Sequence, residues 1–519
     1  MTDAQVLSPP SPHIVAQRRG AGSQAEPAGR RWSTTSTMLL TLPPALLALA
    51  LSVAGIGARS MWNDEYATWY ASTLGLSDLA KLLANVDAVV APYYLVLHFW
   101  IDVFGDSEAS LRMPSALAMA STAALTAALG RRLFDTGTGL AAGLIMAALP
   151  AATRYGQEAR PYAFAIGLAT LATLLLLRAM ERPTWRRWLW YGGGVILAGL
   201  VHIVTLTVLL AHAVFMWRAF RVSGDLLLLR WIAGAFLAVT VALPLAAKGS
   251  DQSSVISWIR ADATAVMTLP ERIFGSWQVA LVVCAAALLA TVLLWSRHRG
   301  PVVLLLAWAL FPPVFCYVTF PVLHLFLHRY LLFTVPAWAL LAAALGFSLA
   351  RFTRRAGSPV PLWLSLSGLL VAAGVLLVSG PGQQAARHSP VYGEPDFRNA
   401  IAVLVSAASP GDGIAFAGTT RNGRRALDYE ARRAGLLRDV LVERTSQQNG
   451  TFGVQECADP GPCVGDTRRI WLLSTTDANL DPMDGMPGPT QGFLLTAYTL
   501  TEYRAFDQIR IFVLDRKDP

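Results

Sequence analysis

Charged residues are scarce in this 519-residue chain. Asp, Glu, Lys and Arg make up 14% of the residues, and 54% are hydrophobic. Soluble globular domains carry about 25% charged residues, so the composition excludes an ordinary soluble domain and indicates a polytopic membrane protein. The formal net charge of +9 can arise from basic cytoplasmic loops, and we expect no nucleic-acid partner.

Cysteine is also rare, with four residues in the chain. Cys284 and Cys316 lie in apolar runs and are expected to be unreactive packing residues. Cys457 and Cys463 flank the loop CADPGPC near the C-terminus. A disulfide can form there if this region lies outside the cytoplasm.

The N-terminal part shows no separate signal peptide. Its first 36 residues are polar and rich in Arg, Pro and Ala, which predicts a disordered cytoplasmic tail over residues 1–36. The first apolar run begins near Met38 without a small-residue cleavage site. We expect this run to stay in the protein as a signal anchor.

Long apolar runs fill residues 37–380, the predicted transmembrane catalytic domain. A helix needs about 20 apolar residues to cross the hydrocarbon core. Eleven runs are predicted spans: 38–57, 112–129, 138–151, 162–179, 189–200, 203–217, 231–247, 277–295, 302–320, 330–349 and 361–379. The runs 189–200 and 203–217 could instead form one long helix, which would reverse the sidedness of everything downstream.

The positions of charged residues decide between these topologies. With eleven spans and the N-terminus inside, the cytoplasmic loops are RRLFDTG, ERPTWRRW, RAFRVSGDLLLLR, SRHRGP and ARFTRRAG, each with at least two arginines. These basic cytoplasmic loops obey the positive-inside rule, and acidic residues collect in the outside segments. This topology puts the N-terminus in the cytoplasm and the chain after residue 380 outside the cytoplasmic membrane.

Two long outside segments precede the C-terminal region. The first, 58–111, is expected to contain two helices at the membrane surface, over 77–85 and 92–104, with Ser77 or Asp78 as the N-cap of the first. The second, 248–276, is expected to cap a cavity.

The C-terminal region, residues 385–519, has a soluble composition. The stretches FRNAIAVLVSAA and RALDYEARRAG have helical periodicity, and GIAFAG, RRIWLLST and IRIFVLD have the pattern of strands. We therefore predict a small extracytoplasmic α/β domain on a mainly α, polytopic membrane protein. No catalytic motif occurs in this region.

Two adjacent carboxylates, Asp64 and Glu65, follow the first predicted span in the stretch MWNDEYATWY. Ionisable residues near a membrane are costly and are functional candidates by default. The alternative is a solvated interfacial loop within a belt of aromatic residues. Glu65 either raises the pKa of its neighbour by like-charge repulsion or only faces water.

A second outside loop concentrates polar residues between two predicted spans. It reads ATRYGQEARPY over 152–162 and contains Arg154, Gln157, Glu158 and Arg160. Two guanidinium groups suit bidentate binding of phosphate. The alternative is a turn whose Glu and Arg residues pair with each other.

A third polar cluster, VLHLFLHRY, precedes the tenth predicted span. On a helix, His324 and His328 would share a face, which suits either a metal site or, as we favour, a polar helix end. Arg329 runs against the positive-inside bias, so we expect it to meet an anion. His202 stands alone on the outer side and is expected to be structural.

Together the three clusters predict one site on the outer face. Carboxylates can act as a general base toward a hydroxyl, and arginines can stabilise a departing phosphate. A phosphate leaving group at a membrane surface indicates a lipid phosphate.

These motifs resemble those of the GT-C membrane glycosyltransferases, within them the protein O-mannosyltransferase and lipid A aminoarabinose transferase group. The matching elements, in chain order, are Asp64-Glu65, Ala91-Pro92-Tyr93-Tyr94, Gly105-Asp106-Ser107-Glu108-Ala109-Ser110-Leu111-Arg112-Met113-Pro114, Tyr155-Gly156-Gln157-Glu158-Ala159-Arg160-Pro161-Tyr162 and Arg329-Tyr330. Gly156 stands where the family has Ser. The resemblance is strongest over 58–180, weaker to 350, and carried by no specific motif after 385.

The resemblance implies transfer of a sugar from a polyprenyl-phosphate donor to an acceptor on a lipid, glycan or protein, with inversion at the sugar carbon. It implies that Asp64 is the catalytic base, with Glu65 beside it. The residues expected to bind the donor phosphate are Arg154, Arg160, Arg329 and Tyr330. The further active-site candidates are Tyr155, Gln157, Glu158, Tyr162, His202 and His328.

The resemblance leaves the cofactor open. A divalent cation is possible, and Asp64 and Glu158 would then be the candidate ligands. Mannose is the sugar expected first, with arabinose or another pentose as the alternative.

Two other functions compete with this one: a transporter or lipid flippase, and a non-catalytic assembly protein. Transporters often show internal repeats and charges at mid-span, and the chain has neither.

Overall fold

The structure, a computed structural model, describes residues 34–223, 227–296, 298–355, 367–391, 393–418, 423–435, 437–475 and 481–517. Most of the predicted N-terminal tail therefore lies outside the described residues, and residues 34–36 already belong to the first helix. The predicted cytoplasmic loops at 218–230, 296–301 and 350–357 are described only in part.

The membrane part is built of helices. They are α1 Thr34–Val53, α2 Asn63–Thr73, α3 Leu76–Asn85, α4 Ala91–Phe104, α5 Glu108–Leu133, α6 Thr136–Ala148, α7 Pro150–Gly156, α8 Tyr162–Glu181, α9 Trp185–Val201, α10 Val208–Ser223, α11 Leu227–Asp251, α12 Ala263–Phe274, α13 Trp277–Leu294, α14 Arg299–Val318, α15 Phe320–Leu323, α16 Val335–Arg355, α17 Ser367–Val378 and α18 Gly380–Ala386. Short 3-10 turns cover Ala88–Val90, Ile203–Thr207, Ser253–Ile256, His328–Tyr330 and Leu332–Thr334.

Each predicted span is largely helical in its described part, although α1 ends at Val53, before the predicted end of the first span at residue 57. Seven described helices are long and apolar enough to cross a membrane, and two bent pairs, α6–α7 at 61° and α17–α18 at 53°, raise the number to nine. The helices α9 and α16 cover the remaining two predicted runs, and the count of eleven stays a prediction. The runs 189–200 and 203–217 form separate helices, because α9 ends at Val201 and a 3-10 turn follows it.

The segment 58–111, predicted to lie outside, contains three helices. The two predicted surface helices are confirmed as α3 and α4, but the predicted N-cap is wrong: Gly75 occupies that position, and Ser77 and Asp78 lie in the first turn. The third, α2, was not predicted. It begins at Asn63 and so places Asp64 and Glu65 in the first turn of a helix rather than in a loop.

The C-terminal region contains the sheets of the described chain. Its strands are β1 Gly413–Gly418, β2 Arg438–Asp439, β3 Val442–Arg444, β4 Gln455–Glu456, β5 Arg469–Thr475, β6 Tyr498–Phe506 and β7 Ile509–Arg516. Its helices are α19 Phe397–Ala407, α20 Gly423–Glu430, α21 Ser446–Asn449, α22 Pro460–Val464 and α23 Gly488–Ala497. The main sheet has the order β2-β1-β5-β7-β6, and β3 pairs with β4 in a second sheet.

The predicted elements of this region are found. The strands β1, β5 and β7 match the three predicted strands, β1 and β5 run parallel, and β7 is antiparallel to β5. The predicted helices correspond to α19 and to α20, which ends at Glu430. Strand β6 was missed because its sequence TLTEYRAF is mostly exposed at the sheet edge. Cys457 and Cys463 form a disulfide.

The C-terminal region packs against the surface helices through one apolar cluster. Residues of α2, α3 and α4 share this cluster with residues of α19, α20 and the sheet. At its centre the ring of Tyr66 meets Phe397 edge-on, with centroids 6.0 Å apart. The helix that carries Asp64 therefore forms part of the core that joins the two regions.

Phe397→Ala is expected to loosen this junction. Phe397 is 2% exposed, and truncating a buried Phe costs about 3–5 kcal/mol. We expect faster protease cleavage between α18 and α19 and a lower apparent melting temperature. Leu495→Ala, at a half-exposed position, is the control. Equal cleavage of the two variants would contradict the packing role.

Candidate functional site

Asp64 lies where three parts of the chain converge. Its Oδ2 is 3.5 Å from Nη2 of Arg329 and 3.7 Å from Nη2 of Arg160. The carboxylate comes from the first turn of α2, Arg160 from the loop before α8, and Arg329 from the 3-10 turn before α16. The structure thus brings together the carboxylate and two of the arginines that the sequence placed in separate outer segments.

A charge-assisted hydrogen bond between nitrogen and oxygen is about 2.7–2.9 Å long. Both distances from Asp64 are longer than this. The Asp64 side chain is 23% exposed, and those of Arg160 and Arg329 are 11% and 16% exposed. Within the described chain, the Nε atoms of both arginines are buried without a hydrogen-bond acceptor. Two largely buried guanidinium groups therefore keep donors for a further anion beside Asp64.

Glu65 points away from this convergence. Its side chain is fully buried, and it accepts hydrogen bonds from Nε and Nη2 of Arg112 at 2.8 and 2.7 Å. Burial alone would raise the pKa of Glu65, but the charge and hydrogen bonds of Arg112 outweigh it and hold that pKa below its usual range. Neither expectation for Glu65 holds, since it does not face water and is neutralised by an arginine.

The Glu65–Arg112 pair also orders the backbone around it. Arg112, in α5, donates from Nη1 to the carbonyls of Ile56 and Arg59 at 2.8 and 2.9 Å. Glu65 accepts from the backbone N–H of Ala159 at 2.9 Å. One buried pair thus ties α2, the chain before it and the loop before α8 to α5.

The polar loop before α8 divides its side chains between structure and site. Gln157 donates from Nε2 to the carbonyls of Ser52 and Ala54 at 2.9 and 2.8 Å, which anchors the loop to the end of α1. Arg160 instead reaches α2, where it donates to Oγ1 of Thr68 at 3.2 Å. Gln157 therefore holds the loop, and Arg160 enters the site.

Glu158 is a buried carboxylate. It is 1% exposed and lies 2.7 Å from Nη2 of Arg154. Within the described chain, neither of its oxygens has an aligned hydrogen-bond donor. Burial raises the pKa of Glu158, and the nearby arginines offset this only in part. The predicted pairing within the loop therefore exists for Arg154 and Glu158, while Arg160 is directed to Asp64.

Aromatic rings surround the two site arginines. The guanidinium carbon of Arg329 is 5.2 Å from the ring centroid of Trp62 and 5.4 Å from that of Trp258, within cation–π range. Trp258 belongs to the predicted cap segment 248–276, which thus reaches the site. Trp62 is buried, whereas Trp258 is 57% exposed.

A chain of rings continues from there. Tyr155 contacts Tyr162, Tyr162 contacts His202, and His202 contacts Tyr330, with centroids 5.6, 5.9 and 5.0 Å apart. Burial, with the charges of Arg160 and Arg329, lowers the pKa of His202 to about 3. His202 is therefore neutral at physiological pH and adds a polar ring without charge.

The helical interpretation of the third cluster is wrong. Helix α15 ends at Leu323, and His324 takes a left-handed conformation with φ of 51°. The two histidines thus do not share a helix face. Burial lowers the pKa of His328 to about 3, so this side chain is neutral. Within the described ranges, no group of three or more His, Cys, Asp or Glu residues is arranged to hold a metal ion.

Two contributors were not identified as site residues from the sequence. Arg112 belongs to the quoted motif over 105–114 but received no role, because the neighbouring sequence does not show that it pairs with Glu65. Thr68 lies four residues after Asp64, and in a helix such residues share a face. Recognising α2 as a helix would have pointed to Thr68.

Known proteins match this chain in part of its sequence and in its fold. Residues 88–247 match the family described as dolichyl-phosphate-mannose-protein mannosyltransferase. No curated protein matches the chain in sequence. ArnT from Cupriavidus metallidurans is similar in structure, both in the apo state and bound to undecaprenyl phosphate. Each ArnT structure has a TM-score of 0.59 and 13% identity, over 93% of this chain and 98% of that chain.

An oligosaccharyltransferase from Archaeoglobus fulgidus, solved with zinc and sulfate, aligns over 84% of this chain and 68% of its own length, with 13% identity and a TM-score of 0.49.

The ArnT likeness shows the fold: the chain is a mainly helical, multi-pass membrane protein of GT-C type with a small strand-containing region at its C-terminus. The resemblance to GT-C membrane glycosyltransferases is confirmed.

Glu65→Gln is expected to destabilise the protein strongly. The change leaves Arg112 buried without its counter-charge, and breaking a buried pair costs about 3–5 kcal/mol. Glu181→Gln is a matched control, because Glu181 is half-exposed and pairs with Arg132 at 2.9 Å; such surface pairs contribute about 0–1 kcal/mol. Thermal unfolding in detergent compares the variants, and equal melting temperatures would contradict the structural role of Glu65.

Proposed function

We propose that the chain is a glycosyltransferase that moves a sugar from a polyprenyl-phosphate donor to an acceptor hydroxyl on the outer face of the cytoplasmic membrane. The observation that carries the proposal is the site itself. A partly exposed carboxylate, Asp64, lies between two largely buried arginines whose Nε donors have no acceptor among the described residues. The site offers both a proton acceptor and unused donors for an anion.

Asp64 is the proposed general base. A carboxylate within reach of an acceptor hydroxyl can take its proton as the oxygen attacks. The new bond joins that oxygen to the anomeric carbon of the sugar. The bond from this carbon to the phosphate oxygen breaks at the same time, and its electron pair leaves with the phosphate. Attack opposite the leaving group inverts the sugar carbon.

Arg160 and Arg329 are the proposed ligands of the departing phosphate. Guanidinium groups bind phosphate through two parallel hydrogen bonds, and fixed donors aimed at developing charge are a large part of catalysis. A phosphate in this position would compete with Asp64 for the two arginines. Donor binding would thus release the carboxylate to act as a base.

The remaining predicted residues have supporting places in this scheme. Arg154 adds a third positive charge and offsets the negative charge of Glu158. Four rings line the site beside the arginines: those of Tyr155, Tyr162, His202 and Tyr330. Neutral polar rings suit the hydroxyl-bearing faces of a sugar. Trp62 and Trp258 flank Arg329 and suit an apolar chain or a sugar face.

Different observations support the proposed donor class, the proposed sugar and the side of the membrane on which the site lies. The family that matches residues 88–247 is named for dolichyl-phosphate-mannose, and one ArnT structure holds undecaprenyl phosphate; these support a polyprenyl-phosphate donor, with mannose first and a pentose second. The basic cytoplasmic loops support an outer site. The disulfide Cys457–Cys463 supports placing residues 385–519 outside, beyond a membrane domain over 37–380.

Asp64→Asn is expected to abolish most of the transfer activity. The amide keeps the shape of the side chain but cannot take a proton, and loss of a general base costs about 10²- to 10⁴-fold in rate. Purified protein in liposomes is given labelled polyprenyl-phosphate mannose, or the pentose equivalent, and transfer is counted. Asp102→Asn, at an exposed position, is the control.

The same assay separates the competing functions. Full activity of Asp64→Asn would remove Asp64 from its role. Transfer of the pentose alone would replace mannose. Movement of lipid or solute across the bilayer without any transfer would replace the enzyme by a transporter.

Arg329→Lys is expected to weaken binding of undecaprenyl phosphate about 10- to 100-fold, because lysine keeps the charge but loses the paired donors. Binding is measured by titrating the purified protein with the lipid. Arg299→Lys, at an exposed position on α14, serves as the control. Unchanged affinity would exclude Arg329 from the phosphate site.

A further inference from the structure

We propose that Arg425 and Glu430 are positioning residues for Asp64: they hydrogen-bond residues of α2 on either side of it and so fix the turn on which the proposed base stands. Both belong to α20, in the C-terminal region, where the sequence shows no catalytic motif. This region thereby takes part in the proposed reaction, and its role there rests on the proposed function.

The two hydrogen bonds lie within one turn of α2. Nη2 of Arg425 donates to Oδ1 of Asn63 at 2.9 Å, and the hydroxyl of Tyr66 donates to Oε1 of Glu430 at 2.7 Å. Asn63 is the first residue of α2 and Tyr66 is the fourth. Residues three positions apart in a helix are neighbours on its surface, so α20 holds one face of α2 at its beginning.

The residue between Asp64 and Tyr66 is held from another direction. Glu65 accepts hydrogen bonds from Arg112 of α5 at 2.8 and 2.7 Å. The arginine contacts of Asp64 itself are longer, at 3.5 and 3.7 Å. The direction in which Asp64 points therefore depends on how its neighbours in the turn are held.

Arg425 is supported by a segment that also contacts α2. Its Nη1 donates to the carbonyl of Phe452 at 3.3 Å, and its guanidinium carbon lies 5.0 Å from the centroid of the Phe452 ring. That ring in turn meets Tyr70 of α2, with centroids 6.2 Å apart. Phe452 thus holds the Arg425 guanidinium close to α2.

Glu430 is linked to α5 through Arg398. The Nε atom of Arg398 is 4.0 Å from Oε1 of Glu430, and its Nη2 is 3.0 Å from Oε1 of Glu108, the first residue of α5. Nη1 of Arg398 donates to the carbonyl of Ala58 at 2.8 Å, in the chain before α2. The acceptor of the Tyr66 hydroxyl is therefore fixed relative to α5, the helix that also holds Glu65.

These contacts matter because a misplacement of about 1 Å can cost about 10²-fold in rate. Loss of either bond would leave Asp64 in the chain but would free the turn that carries it. Arg160 and Arg329 come from other elements, so the proposed phosphate ligands would stay in place. The expected defect therefore lies in the chemical step and not in lipid binding.

Hydrogen exchange tests the positioning without enzymatic activity. The backbone N–H groups of Glu65 and Tyr66 both donate to the carbonyl of Trp62, at 2.8 and 3.1 Å. Their exchange therefore reports opening of the first turn of α2. It is measured in full-length protein in detergent.

Tyr66→Phe and Arg425→Ala are each expected to speed this exchange about fivefold, the effect of one lost hydrogen bond. Glu430→Gln keeps an acceptor oxygen for the Tyr66 hydroxyl and is expected to retain most of the protection. Arg469→Ala, which breaks an exposed pair in the same region, is the control. Exchange equal to wild type in Tyr66→Phe or in folded Arg425→Ala would overturn the inference. Tyr66→Phe removes a single hydroxyl and decides alone if Arg425→Ala does not fold.

Kinetics on the same variants separate positioning from binding. Tyr66→Phe and Arg425→Ala are each expected to lower kcat about 10-fold or more. The affinity for undecaprenyl phosphate is expected to stay within about threefold of wild type, because the interaction lost acts on the chemical step. Retained affinity also shows that a variant is folded. Wild-type kcat in either variant, in an enzyme that Asp64→Asn inactivates, would overturn the inference.

A double-mutant cycle tests whether Arg425 acts through Asn63. Asn63→Ala removes the acceptor of the same hydrogen bond. The double variant Asn63→Ala/Arg425→Ala is expected to be no slower than the slower single variant, since residues that act through one shared interaction are not additive. Losses in kcat that multiply in the double variant would overturn the role of Arg425.

Failure of the positioning and failure of the proposed function remain distinguishable. If the wild type transfers no sugar but Tyr66→Phe and Arg425→Ala still open the first turn of α2, the positioning stands and the proposed function fails. If the wild type transfers sugar and the two variants alter neither exchange nor kcat, the proposed function stands and the positioning fails.

Discussion

The buried pair of Glu65 and Arg112 is the interaction on which the candidate site depends. Two charges taken out of water are costly unless they are paired and hydrogen-bonded. Here each group neutralises the other, and the pair also bonds three backbone groups: the carbonyls of Ile56 and Arg59 before α2, and the N–H of Ala159 before α8. Successive residues in an α-helix are about 100° apart around its axis. Once Glu65 points to α5, its neighbour Asp64 must point elsewhere, and that direction leads to Arg160 and Arg329.

The pair also explains why two adjacent carboxylates can have different tasks. Glu65 is charged, buried and saturated with donors, so it has no capacity left for a substrate. Asp64 is partly exposed and held at distances that leave its two arginines able to bind something else. Both side chains are carboxylates at adjacent positions, so the difference comes from their environments and not from their chemistry.

Local sequence patterns predicted most of the fold and about half of the site. Apolar runs of sufficient length coincide with helices, and the strands β1, β5 and β7 were recognisable as short apolar runs, which are buried along nearly their whole length in β1 and β5. Asp64, Arg160 and Arg329 were recognisable because a charge at a membrane boundary needs a reason. The partners of such charged groups were not recognisable, since the acceptor of Arg112 is set by tertiary packing between residues 47 positions apart, which no local pattern records. His324 and His328 failed for the opposite reason: their spacing suits a helix, but the chain turns left-handed at His324.

The hydrogen bonds between α2 and the C-terminal region have a consequence for how the protein is made. Asn63 is bonded to a residue 362 positions later in the chain, and Tyr66 to one 364 positions later. A ribosome synthesises the helix that carries Asp64 among the first elements, yet these hydrogen bonds form only when the chain is more than four-fifths complete. The proposed catalytic carboxylate, Asp64, is thus fixed in place late in biogenesis, after the membrane helices between these two points have been inserted. A chain released before its C-terminal region is made would contain the residues of the candidate site but would lack the hydrogen bonds that fix α2. The site would therefore reach its final geometry only as the last hundred residues or so fold.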